Sequence, residues 1–286
     1  MDIPDGLGGA FAFILGACVG SFVNVVAFRL PREMSIVGPR SFCPHCERPI
    51  PAWANIPILA FIGLRGRCLL CRHPIPLRYF ITETSLAIIA LYLYMRFPLG
   101  EAVSRFAFCS AIFAASVIDF DWRIIPDIIS LPGIPIGILA ATFFEPSVGL
   151  RRSLLGVALG GGFLFAVGEA YRLLRGKEGL GMGDVKLMAM VGAFLGWAGV
   201  LFTLFVGSII GSVGGIMVGL SARRAPQPSA NGEAESTISG RLPDEIGEAD
   251  EISILQTTVP FGPFLSVAAG IYALFQPALI RWYFSG

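Results

Sequence analysis

Charge is scarce in this chain. Asp, Glu, Lys and Arg supply 14% of its 286 residues and hydrophobic types 55%, whereas soluble proteins are on average about 25% charged. With a mean hydropathy of +0.73, an ordinary soluble domain is excluded. The formal net charge is only +1, so no basic excess is available to hold nucleic acid. Histidine is nearly missing too, with only His45 and His73. There is no G-x-S-x-G elbow and no H-E-x-x-H pair. Those absences leave out a nucleophile-elbow hydrolase and a two-histidine zinc hydrolase. No dinucleotide-binding glycine fingerprint occurs. The first six residues hold Asp2 and Asp5 but nothing basic, which argues against a cleaved signal peptide.

What the chain has in abundance is long apolar sequence. Residues 7–28 run without a formal charge, enough to span a bilayer. Further spans are predicted at 81–97, 102–118, 128–144, 153–174 and 259–284. Residues 185–220 carry one charge, Lys186. As a single helix they would reach about 54 Å, against a hydrocarbon core of about 30 Å. A break near 196–199 is therefore predicted, giving two spans. Arg105, near the start of its span, is expected to snorkel outward. Cys18 and Cys109 stand alone in apolar segments and read as small core hydrophobes. The predicted fold class is an all-α polytopic membrane protein of about eight transmembrane helices. Its parts are a first helix (1–28), a polar loop (29–80) and a helical core (81–286). Within the core, 221–258 holds seven acids and three arginines and reads as a disordered insertion.

Orientation follows from the distribution of Lys and Arg. With the N-terminus outside, the inner loops hold sixteen of the 21 Lys and Arg. That bias predicts both termini outside and the 29–80 loop in the cytoplasm. The loop carries eight arginines against Glu33 and Glu47. It also carries two C-x-x-C pairs, Cys43/Cys46 and Cys68/Cys71, separated by 21 residues. Paired knuckles are the signature of a four-thiolate zinc site, and a cytoplasmic loop disfavours the alternative of disulfides. His45 and His73 read as bystanders.

Four aspartates mark span ends: Asp119, Asp121 and Asp127 in one stretch, and Asp184 after Gly181-Met182-Gly183. Charge at membrane depth is costly and calls for a use. Two adjacent carboxyls share a proton, so one can act as base on water and the other as acid toward a carbonyl. Asp184 is one candidate partner. Chemistry alone leaves Asp119, Asp121 and Asp127 as rivals for the other, with Asp121 alternatively an interfacial charge and Asp127 a helix cap. By the predicted topology, these carboxylates and the cysteine loop share the cytoplasmic face.

Several motifs then occur together, in order along nearly the whole chain. They are Gly20-Ser-Phe-Val-Asn24 with Arg29-Leu-Pro31, Cys43-Pro-His-Cys46, Asn55-Ile-Pro57 and Leu64-Arg-Gly-Arg-Cys68 with Cys71. Arg78-Tyr79 with Glu83, Ile118-Asp119 with Pro126-Asp127, Gly181-Met-Gly-Asp184-Val-Lys-Leu187 and Pro260-Phe-Gly-Pro263 follow. In these the chain resembles the type IV prepilin leader peptidases, bifunctional bacterial enzymes of the G-x-G-D aspartyl protease class. The resemblance implies an inner-membrane protease that cuts prepilins and pseudopilins after the glycine of a short basic leader. It implies N-methylation of the new terminus with S-adenosylmethionine. It assigns Asp119, seven residues before the proline, and Asp184 as the catalytic pair. Cys43, Cys46, Cys68 and Cys71 would hold structural zinc. Asn24 and Glu83 are the candidates for the methyl-donor half. The implied partners are prepilin substrates and the lipid bilayer, with no nucleic acid.

The 221–258 insertion departs from the family pattern. Pro277-Ala278-Leu279 echoes a motif of presenilin-type proteases, but it is predicted at the outer end of its span and reads as coincidence. A proton-coupled transporter is the alternative from another class. It calls for charges at mid-bilayer and an internal repeat, neither of which is evident. A non-catalytic zinc-loop assembly factor is the third reading; it would tolerate Asp119→Asn but not loss of Cys43.

Overall fold

The computed structural model describes residues 5–176, 181–224 and 261–284. The expected insertion at 221–258 lies almost entirely outside the described residues. The fold is helical, without a strand among the described residues. Its main helices are α1 (Asp5–Arg29), α2 (Leu59–Gly63), α3 (Leu77–Arg96), α4 (Leu99–Trp122) and α5 (Asp127–Phe143). They continue with α6 (Gly149–Val157), α7 (Leu164–Arg175), α8 (Met182–Arg224) and α9 (Gly262–Phe284). A π-helical turn, Ala158–Phe163, joins α6 to α7. Among the described residues, four stretches can cross a membrane by length and composition: Gly6–Arg32, Leu99–Trp122, Gly149–Arg175 and Met182–Met217.

The last of these is not straight. Gly196 holds φ 71° and ψ −178°, a conformation open to glycine and to few other residues. Before it, α8 runs alongside α5: Lys186 meets Asp127, Met190 meets Gly133 and Phe194 meets Gly137. After it, α8 runs against α9: Gly199 lies by Tyr272, Gly207 by Leu265 and Gly211 by Phe261. The chain therefore doubles back at Gly196, within the predicted break. This reversal returns the second half of α8 to the face where the first began.

The same contacts order the other helices. α1 and α3 are antiparallel, with Gly8 against Tyr94 and Gly20 against Glu83. The last turn of α4 meets the first of α9. One face of the molecule thus gathers the C-terminal ends of α1 and α4 with the N-terminal ends of α3, α5, α8 and α9. Beneath it, Phe108, Ile112, Leu187, Met190, Val191 and Leu265 form a continuous buried core.

Two expectations are corrected. Arg105 does not snorkel; it is 3% exposed. Its guanidinium binds Glu145 Oε2 at 2.7 Å, the Ala273 carbonyl at 2.7 Å and Gln276 Oε1 at 3.1 Å. A buried charge with that many partners need not reach for water. Cys18 is not in the core either. It is exposed on the side of α1 that carries Phe11, Ile14 and Leu15, the outward apolar surface of a membrane helix. Cys109 is buried as expected.

Candidate active site and metal centre

Asp119 stands one turn before the end of α4 and is 6% exposed. The helix stops because Arg123 turns left-handed, at φ 56°, and donates its N–H to the Asp119 carbonyl at 2.8 Å. The Gly262 amide, at the N-terminus of α9, donates to the Asp119 carboxylate. A methyl group on residue 262 would stand 2.5 Å from Asp119 Oδ2, so glycine is what allows this approach. Asp184 enters on the first turn of α8, where its own N–H closes on the Gly181 carbonyl at 3.1 Å. The two carboxyls are close enough for the charge of Asp119 to act on Asp184. Ile125 lies against both Gly183 and Gly262 and walls the pair. Two helix N-termini also converge there, and their dipoles favour negative charge.

The rival aspartates have other partners. Asp121 is ion-paired with Arg78. Asp127 receives Lys186 Nζ on both oxygens, at 2.7 and 2.8 Å. Asp127 does not cap α5: Pro126 occupies that position and no side-chain cap bond forms. Among the described residues, neither Asp119 nor Asp184 has a cationic partner. Pro277-Ala278-Leu279 falls near the far end of α9, about 22 Å along the helix from Gly262.

The cysteine loop is built from two copies of one turn. Phe42 bridges to Pro49 around the first knuckle and Arg67 to Pro74 around the second. In each, the first cysteine's N–H bonds a carbonyl five residues on, Cys43 to Arg48 at 3.1 Å and Cys68 to His73 at 2.9 Å. Each turn ends on a left-handed residue, Glu47 and Arg72. The four sulfurs lie within 4.8 Å of one another, with Cys43 and Cys71 at 3.9 Å. Four thiolates at about 2.3 Å from one zinc ion stand about 3.8 Å apart, so the set fits a tetrahedral ion. The amide of Cys71 holds the Cys68 thiol down at about 7. At Cys71 the His73 amide pulls the same way, but burial and the neighbouring sulfurs push the thiol up to about 11. A divalent cation relieves that competition among neighbouring thiols. His45 and His73 stack on each other, 4.1 Å between ring centroids, outside the ligand set.

Under the knuckles lies a cavity of about 520 Å³. Its walls come from the end of α1, the loop and the start of α3, and include both methyl-donor candidates, Asn24 and Glu83. Asn24 Nδ2 donates to the Tyr79 carbonyl at 3.2 Å. Glu83 Oε2 accepts the Ile58 N–H at 2.8 Å. Asp119 and Asp184 do not line this cavity, so the candidates sort into two separate sites on one face. Four contributors are given no role by sequence reading, although three of them stand in the family motifs: the amides of Gly262 and Ile58, and the cations Arg78 and Lys186. Backbone donors leave no mark in residue types. By residue chemistry alone only Lys186, the lone charge in its apolar run, offers a signal.

The fold and the site together define a class: a helical membrane protein with a paired-carboxylate centre beside a four-cysteine knuckle. Comparison with known proteins narrows it. The family model described as Bacterial Peptidase A24 N-terminal domain matches residues 14–97, and that described as Type IV leader peptidase family matches 106–216. The chain belongs to the type IV leader peptidase family. A prepilin leader peptidase/N-methyltransferase of Burkholderia pseudomallei (strain K96243) is 36% identical, covering 96% of this chain and 87% of the relative. Proteins of the same name from Myxococcus xanthus (strain DK1622) and Pseudomonas putida are also similar. The first is 35% identical over 95% of this chain and 91% of the relative. The second is 32% identical over 92% and 89%. No solved structure matches.

Proposed function

We propose that this chain removes the leader peptide of type IV prepilins and pseudopilins with Asp119 and Asp184, then N-methylates the new amino terminus. The names of its relatives support both activities. The observation that carries the assignment of the cleavage residues is that two aspartates without a cationic partner among the described residues stand close at one face, with the Gly262 amide on one of them. The pair holds one proton. The ionised carboxylate takes a proton from water as the water attacks the scissile carbonyl, and the protonated partner donates to the carbonyl oxygen. As the tetrahedral intermediate collapses, the carboxyl that took the water proton gives it to the departing nitrogen, and the C–N bond breaks to free the new amine.

In this reading eight spans cross the inner membrane, with both termini periplasmic and the paired aspartates facing the cytoplasm. The excess of Lys and Arg in the inner loops and the alternation of helix directions support that topology. The chain divides into the first helix (1–28), the loop (29–80) and the peptidase core (81–286). Cys43, Cys46, Cys68 and Cys71 hold zinc, which shapes the loop. S-adenosylmethionine, when bound, supplies an electrophilic methyl group. Asn24 and Glu83, in the wall of the loop cavity, serve that half. Partners are the substrate precursors and the lipid bilayer, with no nucleic acid.

The test is incubation of the purified protein with a prepilin and labelled S-adenosylmethionine, read by intact mass. The expected product has lost the leader and gained one methyl group. Cleavage without methylation would confine the chain to proteolysis, and no cleavage by folded enzyme would overturn the proposal.

A further inference from the structure

Glu83 is a carboxylate in an unusual position. It is 9% exposed and lines the cavity under the cysteine knuckles, the only acidic side chain among the described residues to do so. Its hydrogen-bond donors are neutral: the Ile58 amide at 2.8 Å and the Ser21 hydroxyl. No cation pairs with it among the described residues. Yet four arginines line the same cavity. Arg29 is committed to the carbonyls of Ser35, Pro39 and Arg40. Arg32 donates to the Phe28 carbonyl and lies over the rings of Phe28 and Trp122. Arg78 is committed to Asp121, and Arg48 is exposed. A desolvated carboxylate is costly unless paired, so this one is left to be paired by a cationic ligand.

The backbone around Glu83 is shaped to hold it. Ile58 has φ 64°, an outlier for a β-branched residue, and strain of that kind gathers at functional sites. This conformation accompanies the Ile58 N–H bond to Glu83. On the other side, Gly20 brings α1 so near that a methyl group there would stand 2.7 Å from Glu83 Cα.

We propose that Glu83 receives the newly freed amino terminus of the substrate as an ammonium ion and accepts its proton for methyl transfer. This rests on the function proposed above and places Glu83 on the amine rather than on the methyl donor. The amine leaves the Asp119–Asp184 pair protonated at neutral pH. Arg78, in the cavity wall, is bonded to Asp121, two residues beyond Asp119, so the two sites adjoin through the last turn of α4. The proton balance is simple. Glu83 takes one proton from the ammonium. The freed lone pair forms the N–C bond as the S–C bond of a sulfonium donor breaks, and the bonding electrons stay on sulfur as a thioether. The product is a secondary ammonium, and Glu83 returns its proton to water. His45 and His73 line the same cavity but are exposed, stacked on each other and bracketed by the four cysteines.

The test compares two short peptides that begin at the mature terminus, one with a free amine and one N-acetylated. Their binding to the zinc-loaded, full-length protein is measured by calorimetry with S-adenosylhomocysteine present. The wild type is expected to bind the free amine at least about tenfold more tightly, as for a desolvated charge pair. Glu83→Gln is expected to erase that preference while its affinity for S-adenosylhomocysteine stays within about twofold. Methylation of the free-amine peptide should fall about 10²–10⁴-fold. Equal binding of the two peptides by the wild type would overturn the proposal without any variant. So would a preference that survives Glu83→Gln, or loss of S-adenosylhomocysteine binding, which would make Glu83 a donor ligand. Glu83→Asp, which withdraws the carboxylate by one methylene, should show a weakened preference if the glutamine variant does not fold. Methylation by the wild type is read separately, so failure of the functional reading is distinguishable from failure at Glu83.

Discussion

The paired aspartates and the loop cavity share one face of the molecule but are made in different ways. Asp119 and Asp184 come from helices whose apolar faces form the main core, with Leu187, Val191 and Leu265 directly beneath. Their carboxyls are placed by helix ends, by a glycine amide and by close backbone approach. The loop has almost no core. Val37, Trp53, Ile56, Leu59 and Ile62 are exposed, and few of its apolar residues besides Cys43, Ala54 and Cys68 are buried. Four sulfurs take the place of a core there. The membrane-side centre therefore depends on packing, whereas the loop cavity, in the proposed reading, depends on the ion those sulfurs would hold. The two should fail separately.

Removing the ion gives the largest expected effect. Structural zinc in small peptides is worth about 10–16 kcal/mol. A Cys43→Ser/Cys68→Ser variant should lose its zinc by elemental analysis and its methyl transfer, while prepilin cleavage persists. Loss of cleavage to the same degree would break the comparison. Next is Arg105→Met, at the far end of the helical core. It strands Glu145 without its guanidinium, and breaking a buried pair of this kind costs about 3–5 kcal/mol. Thermal unfolding in detergent should show that loss with the zinc content unchanged.

Gly262→Ala sharpens the comparison from the other side. The added methyl group must displace either the Asp119 carboxylate or the amide that bonds it. A displacement of about 1 Å in a reacting group lowers the rate about 10²-fold. Cleavage kcat should fall by that order, with little change in the methylation of a pre-cut peptide. Lys186→Ala should do least. Its pair with Asp127 is largely exposed, and such pairs contribute about 0.2–1 kcal/mol. Cleavage should drop no more than about fivefold, and a Lys186→Asp/Asp127→Lys exchange should recover part of the loss.

The sequence announced these two regions unequally. Cysteine spacing alone picked out the four thiols that the fold gathers within 4.8 Å of one another, because ligation fixes residue type and interval together. The helical architecture was legible from apolar runs, and the turn at Gly196 from a span too long for a bilayer. Asp184 stood out as a charge beside glycines in apolar sequence. Asp119 did not: residue chemistry left Asp121 and Asp127 equal to it, and only the family motif chose among them. What separates the three is partnership across the fold, with Arg78 on Asp121 and Lys186 on Asp127, and such pairings are not visible along the chain. The same holds for Arg105. Its partners, Glu145, Ala273 and Gln276, are 40, 168 and 171 residues away. The loop cavity was not legible at all, because its walls come from three segments and a main-chain amide.

The most direct measurement is a cleavage time course on a purified prepilin with the wild type, Asp119→Asn and Asp184→Asn in one detergent, read by intact mass. The wild type should release the leader. Each variant should be slower by about 10²–10⁴-fold, with zinc content and thermal unfolding unchanged. Cleavage by either folded variant within about tenfold of the wild type would contradict the central claim that Asp119 and Asp184 act as one proton-sharing pair.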